Sequence, residues 1–136
     1  MSTNGDYQEV ISLAAELSAY RKGTVSVFID LERGYLTWRE SNRWCNNFTR
    51  TVTREQIQLF REQLEACRVL SWRNLHNQLP VSAEGAEEPQ KPFFNWNLSI
   101  QLSDRCFKRS GENRLPGRWP DFRTAIEYIT RTNFDI

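Results

Sequence analysis

The residues of this chain that could act as a general acid or a general base are a single histidine and a few carboxylates. No Gly-x-Ser-x-Gly or His-Glu-x-x-His context surrounds His76. Asp30 and Glu32 flank a predicted turn, and three glutamates lie between residues 84 and 88. A general base needs a partner nucleophile, and paired catalytic acids must converge in a pocket. Nothing in the spacing of these residues requires them to meet in one pocket. We therefore expect that His76 is a solvated loop residue, that the carboxylates solvate turns, and that the protein is not an enzyme.

Metal and phosphate chemistry have no recognisable pattern in the sequence. Cys45, Cys67 and Cys106 are odd in number, contain no Cys-x-x-Cys pair and fit no zinc-ligand spacing. The six glycines are scattered and form neither a dinucleotide-binding nor a Walker motif. We therefore expect free buried thiols in a reducing cytoplasm, with no cofactor and no metal.

The segment from Gly111 to Trp119 is the most distinctive candidate for recognition. Arginine and tryptophan are typical hot-spot residues, and basic and aromatic residues also occur in the first half of the chain. The residues predicted to contact a partner are Arg43, Trp44, Arg109, Asn113, Arg114, Arg118 and Trp119. The alternative is structural: Gly111 and Asn113 accept turn geometry, Pro116 stiffens the loop, and Trp119 packs under the edge of a sheet.

A nucleic-acid surface is a second interpretation of the basic and aromatic residues. The residues concerned are Arg39, Arg43 and Arg50, interleaved with Trp38, Trp44 and Phe48, and Arg105, Lys108 and Arg109 on a second hairpin. However, the formal net charge is only +1, and no RNP motif is present. Exposed arginine and tryptophan on a sheet suit a protein interface equally well.

Length and composition are typical of one small globular domain. The chain has 136 residues, of which 39% are hydrophobic and 26% charged. Aromatic residues make up 12%, which favours a well-packed core or an aromatic contact surface. The first ten residues lack the pattern of a signal peptide, and no apolar run is long enough to span a membrane. We expect a single cytoplasmic domain over residues 1–136 that does not bind membranes.

Hydrophobic periodicity in the first half predicts a helix, a hairpin and a second helix. Apolar residues three and four apart predict the first helix over residues 7–21. Strands at residues 24–31 and 35–40 with a turn at 32–34 predict a β-hairpin. Residues 41–52 either extend the second strand across a bulge or form a loop and a short strand from residue 48. Thr53 opens a capping box for a helix over residues 54–68, after which residues 69–75 either continue the helix or change direction.

The second half contains the clearest alternation in the chain. Residues 94–102 alternate strictly between apolar and polar, which predicts a half-buried strand over residues 93–102 with a hairpin partner at residues 105–109. A loop over 110–118 follows, and then a helix that begins at Trp119 with proline in its first turn and ends near residue 130. The proline-containing stretch 78–92 is predicted to be an exposed loop, and Phe134 and Ile136 are predicted to pack back onto the body.

These elements predict an α+β fold in the order α-ββα-ββα. The simplest way to bury their apolar faces is an antiparallel sheet of four or five strands with the helices on one face. The two ββα halves share sequence features, such as Phe60-Arg61 and Phe122-Arg123 on their helices. Either an internal duplication or ordinary amphipathic patterning accounts for this resemblance between the halves.

The functional hypothesis from sequence is a non-catalytic protein-interaction module of bacterial or phage origin. It binds and blocks a partner protein, as immunity proteins and anti-defence inhibitors do. The open face of the sheet and the loop at residues 110–119 are the expected contact surface. Nucleic-acid binding and a small enzyme with an unrecognised site are the alternatives. The sequence indicates neither the partner nor the oligomeric state.

Overall fold

The computed structural model describes residues 7–19, 22–41, 47–74, 94–112 and 115–134, which form an α+β fold. The strands are β1 (Val10–Ala19), β2 (Gly23–Asp30), β3 (Tyr35–Glu40), β4 (Phe48–Thr51), β5 (Phe94–Leu102) and β6 (Cys106–Glu112), and the helices are α1 (Arg54–Ala66) and α2 (Trp119–Thr130). The strands make one antiparallel sheet in the order β4-β3-β2-β1-β5-β6.

Strand β1 lies in the interior of the sheet, and the helix predicted for residues 7–21 is wrong. Leu13, Ala15 and Leu17 are buried at a spacing of two and alternate with half-buried residues. β1 pairs with β2 along one edge and with β5 along the other. Alanine, leucine and glutamate favour isolated helices, but two hydrogen-bonded ladders and one buried face outweigh that preference. The described chain therefore has six strands and two helices, not the predicted four or five strands and three helices.

The predicted first hairpin is confirmed by β2 and β3. The turn between them spans residues 31–34, and Gly34 adopts a positive φ of 81°, a conformation that glycine accepts without strain. Of the two interpretations of residues 41–52, the short strand is correct, because β4 pairs with β3 from Phe48 to Thr51. Residues 42–46 lie outside the described part.

Helix α1 begins with the predicted capping box. The Thr53 hydroxyl accepts a hydrogen bond from the Gln56 amide, and the Gln56 side chain accepts one from the Thr53 amide. The helix ends at Ala66, and Arg68 takes a left-handed conformation with a φ of 52°. A 3-10 turn at Val69–Ser71 follows. The chain therefore changes direction after α1 and does not continue as a helix.

The second half contains the predicted strand β5 and helix α2, but β6 is longer than predicted. β6 continues to Glu112, so residues 110–112, which the sequence assigns to a loop, are part of the sheet. Gly111 lies opposite Trp96 in the register and is not a turn residue. The predicted loop at residues 78–92 lies outside the described residues.

One face of the sheet and both helices form a single hydrophobic core. The buried sheet residues of this core are Val10, Leu13, Ala15 and Leu17 on β1, Val25, Val27 and Ile29 on β2, Leu36 and Trp38 on β3, and Trp96, Leu98, Ile100 and Leu102 on β5. Phe60 and Leu64 of α1 and Phe122 and Ile126 of α2 belong to the same core. Phe134 is fully buried, as predicted, with its ring 6.1 Å from that of Trp38, and Ile136 lies outside the described residues.

The topology does not support an internal duplication. The β2–β3 and β5–β6 hairpins lie on opposite sides of β1, which belongs to neither of them. Within the described residues, β4 also has no counterpart in the second half. The resemblance between the halves is accounted for by ordinary amphipathic patterning.

Candidate interaction face

The face of the sheet opposite the helices, here called the open face, carries mainly short polar side chains. It comprises Ser12, Ala14, Glu16 and Ser18 of β1, Thr24, Ser26 and Phe28 of β2, Tyr35, Thr37 and Arg39 of β3, Thr49 and Thr51 of β4, Asn95, Asn97, Ser99 and Gln101 of β5, and Cys106, Lys108, Ser110 and Glu112 of β6. On the interior strands β1, β2 and β5 these residues alternate with buried ones, as the pleat of a sheet requires.

A groove of about 630 Å³ lies on the open face. Ala14 is at its centre, with Phe28 opposite on β2 and Ser99 opposite on β5. Alanine and serine are shorter than the arginine, lysine and phenylalanine side chains that also line the groove. The depression therefore follows from small residues on the interior strands.

Four charged side chains of both signs line this groove: Glu16, Arg39, Lys108 and Arg109. Glu16 of β1 accepts a hydrogen bond at 3.3 Å from the Asn97 side chain. Arg39 and Lys108 lie on opposite sides of it, on β3 and β6. In the part of the chain that the structure describes, neither cation forms an ion pair. Both cations can therefore pair with acidic groups of a ligand.

Phe28 and Tyr35 supply the aromatic part of the open face. Phe28 is 36% exposed, which is unusual among the large hydrophobic residues of the described chain. Its ring centroid lies 6.1 Å from that of Tyr35, at an angle of 54°. Tyr35 is half-buried. An aromatic pair with one exposed ring on a polar sheet face is a suitable apolar anchor for a partner.

Three of the seven residues predicted to contact a partner are described by the structure. Arg118 is exposed and pairs with Asp121 at 3.2 Å. Arg109 is half-buried, and its Nε donates to the Trp72 carbonyl at 2.9 Å. Trp119 is only 7% exposed and packs among aromatic rings, as in the structural alternative. These three side chains do not form one exposed patch.

The other four predicted contact residues lie outside the described residues. They are Arg43, Trp44, Asn113 and Arg114. A contact role for them remains a prediction.

Of the residues proposed for a nucleic-acid surface, Trp38, Phe48 and Arg50 are committed to the fold. Trp38 is fully buried, and Phe48 stacks on it with ring centroids 6.1 Å apart. Arg50 donates a hydrogen bond at 2.6 Å to the carbonyl of Thr130 at the end of α2. Base stacking requires exposed aromatic faces. These described residues therefore do not form a stacking platform.

Reactive groups in the described part of the chain are few. Cys67 is buried, as predicted. Cys106 is exposed, so the prediction that it is buried is wrong. Burial raises the pKa of the Cys67 thiol to about 12, and the Asp121 carboxylate acts in the same direction. Among the described residues no cluster of His, Cys, Asp and Glu could hold a metal ion. His76 and Cys45 lie outside these residues.

Most of the groove is not predictable from the sequence, because the spacing of the apolar residues in β1 predicts a helix. The alternation over β5 identifies Asn97 and Ser99 as residues of the polar face. The burial of Leu13–Leu17 has the same period of two, but Leu13, Ala14 and Ala15 are all apolar, so the sequence alone does not separate the two faces of β1.

Neither the protein-family models nor the curated proteins with which the chain was compared match it. Within the described residues, neither helix is long and apolar enough to cross a membrane.

Proposed function

We propose that this protein is a non-catalytic interaction module that binds a partner protein through the open face and blocks it. The observation that carries this proposal is the asymmetry of the sheet. Two helices cover one face, and no described helix covers the other. A face that is uncovered, grooved and rich in neutral polar side chains is suited to contact another protein.

The composition of the open face supports a protein partner. Serine, threonine, asparagine and glutamine are its main residues, with Phe28 and Tyr35 as aromatic members. Protein interfaces are depleted of charge at their centre and enriched in aromatic residues. Antibody-type binding surfaces likewise combine rigid aromatic anchors with small polar residues that adapt their hydrogen bonds.

The chemistry of the groove favours binding over catalysis. The carboxylate in it, Glu16, has a hydrogen bond to the Asn97 amide and not to a hydroxyl that it could activate. Arg39 and Lys108 are placed to pair with acidic side chains of a partner. A partner segment bound in the groove would be covered by the sheet, and this is how the module would block it.

The proposal can be tested by capture of the partner and reconstitution with purified proteins. Ala14→Arg places a long charged side chain at the centre of the groove without changing a core residue. We expect wild-type protein to recover a stoichiometric partner from its native host and to inhibit that partner's activity. The Ala14→Arg variant should bind at least tenfold more weakly in calorimetry.

Tyr128→Arg is the matched control for this experiment. Tyr128 is 45% exposed on α2, away from the sheet, so the same new charge there should leave binding unchanged. If Ala14→Arg binds as tightly as wild type, the open face is not the contact surface. An inert monomer that recovers no stoichiometric partner would overturn the proposed function itself.

A further inference from the structure

A second cavity, of about 410 Å³, lies between the β2–β3 turn and the start of α1. It shares no lining residue with the groove of the open face. Three arginines line it: Arg33 from the turn, Arg54 from the first residue of α1, and Arg61 two turns further along that helix. Glu32 is the one carboxylate in the lining. The walls therefore carry more positive than negative charge.

Arg33 and Arg54 are exposed, and their guanidinium groups are not used by the fold. In the described part of the chain neither guanidinium forms a hydrogen bond or an ion pair. Two cations that line one cavity repel each other unless an anion lies between them. No stabilising contact within the described fold explains their common position.

Arg61 is less exposed than Arg33 and Arg54, and its guanidinium adds positive charge to the inner side of the cavity. Its Nη2 donates to the Val10 carbonyl at 2.7 Å, which fixes the guanidinium beside β1. Its Nε is buried and has no hydrogen-bond acceptor among the described residues. Burial lowers the pKa of this guanidinium, because water no longer solvates its charge fully. An anion in the cavity would offset that cost.

The chemistry of the lining favours phosphate over a carboxylate, which has only two oxygens. A guanidinium presents N–H groups in a planar fork that matches two phosphate oxygens, and a phosphate has enough oxygens for several such forks. The cavity is within the size range of small-molecule sites, and Leu31 and Ile57 add apolar wall to it. A small molecule with a phosphate group therefore fits both the charge and the apolar lining.

We propose that this cavity binds a phosphate group, free or in a small phosphate ester, through Arg33, Arg54 and Arg61. The site is separate from the open face and does not depend on the proposed protein partner. It would give the module a small ligand whose binding stabilises the β2–β3 turn against α1.

The proposal is tested by nuclear magnetic resonance titration of the full chain at constant ionic strength. Inorganic phosphate and a nucleoside monophosphate are the two probes. We expect saturable shifts of the Gly34 and Ile57 amides with either probe. If the two bind equally, the free anion accounts for the affinity. If the ester binds more tightly, its carbon part also contacts the cavity.

Substitution of the two exposed arginines separates a specific site from general charge attraction. Arg33→Ala combined with Arg54→Ala should weaken binding at least tenfold, whereas Arg33→Lys with Arg54→Lys should have an intermediate effect, because lysine keeps the charge without the fork. Arg39→Ala, on the open face, should leave the affinity unchanged. Shifts that do not saturate, or alanine and wild-type proteins that bind equally, would overturn the proposal.

Discussion

At the scale of single residues, the Asp30 carboxylate determines the conformation of the first turn. Its Oδ1 accepts hydrogen bonds from the backbone amides of Glu32 at 3.0 Å and Arg33 at 2.7 Å. Asp30 is only 9% exposed, so its loss would leave amides of the turn without an acceptor. Aspartate favours turns through such local side-chain contacts. The expectation that this carboxylate serves the turn is confirmed.

We predict that Asp30→Ala lowers the free energy of unfolding by about 1–2 kcal/mol, because hydrogen-bond donors lose a charged acceptor. Urea denaturation followed by circular dichroism measures the change. Glu32→Ala is the control: the exposed Glu32 side chain accepts no hydrogen bond from described residues, and we expect a change within about 0.5 kcal/mol. Equal effects of the two substitutions would contradict the role of Asp30.

The Cys67 thiol gives the stability of the protein a dependence on alkaline pH. Its pKa is raised in the folded state from the ordinary 9.0 to about 12, mainly by burial. The unfolded thiol ionises first as the pH rises, so the unfolded state then binds fewer protons than the folded state. The contribution of the buried thiol is therefore fully present below about pH 9 and is lost as the pH rises towards 12.

We predict that Cys67→Ala flattens the decline of unfolding free energy between about pH 9 and 11, although it lowers stability at neutral pH. Urea denaturation at several pH values gives the slope. Cys106→Ala removes an exposed thiol and should leave the slope as in wild type. A Cys67→Ala variant with the wild-type slope would show that this thiol does not cause the effect.

At the scale of the elements, the start of α1 depends on its reciprocal cap. Thr53 and Gln56 satisfy each other's backbone amides at 3.1 and 2.9 Å. We predict that Thr53→Ala lowers the free energy of unfolding by about 1 kcal/mol, since one amide of the first turn loses its acceptor. Thermal denaturation measures the loss, and Thr53→Ser, which keeps the hydroxyl, should restore most of it. No difference between the two variants would argue against the cap.

The elements that could be predicted from sequence are those whose signal lies in residues close together in the chain. Strand β1 is not one of them. The capping box of α1 and the alternation of β5 depend on residues close together in the chain. Leu13, Ala14 and Ala15 are compatible with both a helix and a strand. Pairing with β2 and with β5, some eighty residues away, selects the strand. Tertiary pairing of this kind is not visible in a local window.

At the scale of the whole molecule, the groove could be predicted only in part. The polar side of β5 was visible as alternation, but its position beside Ala14 and Glu16 follows from the strand order. The contact loop predicted for residues 110–119 does not begin at residue 110, because β6 continues through Gly111. Trp119 has the residue type of a contact hot spot, yet the rings around it place it in the core. Composition alone does not distinguish these two environments.

Trp72 connects several elements of the core. Its ring lies 6.1 Å from Trp96 of β5 and 5.3 Å from Phe122 of α2. Its indole Nε1 donates to the Cys67 carbonyl at 3.1 Å, and its own carbonyl accepts from Arg109 of β6 at 2.9 Å. A residue with contacts to so many elements should affect the stability of the whole domain.

We predict that Trp72→Ala lowers the free energy of unfolding by about 3–5 kcal/mol, because it creates a large cavity and leaves a backbone carbonyl with one donor fewer. Trp72→Phe keeps a ring and should cost clearly less. Small domains unfold in one cooperative step, so circular dichroism and tryptophan fluorescence should report the same midpoint in wild type and in Trp72→Phe. Separate midpoints for the two probes in wild type would contradict the prediction of a single domain. A loss below about 1 kcal/mol in Trp72→Ala would show that the contacts of this ring do not hold the helices to the sheet.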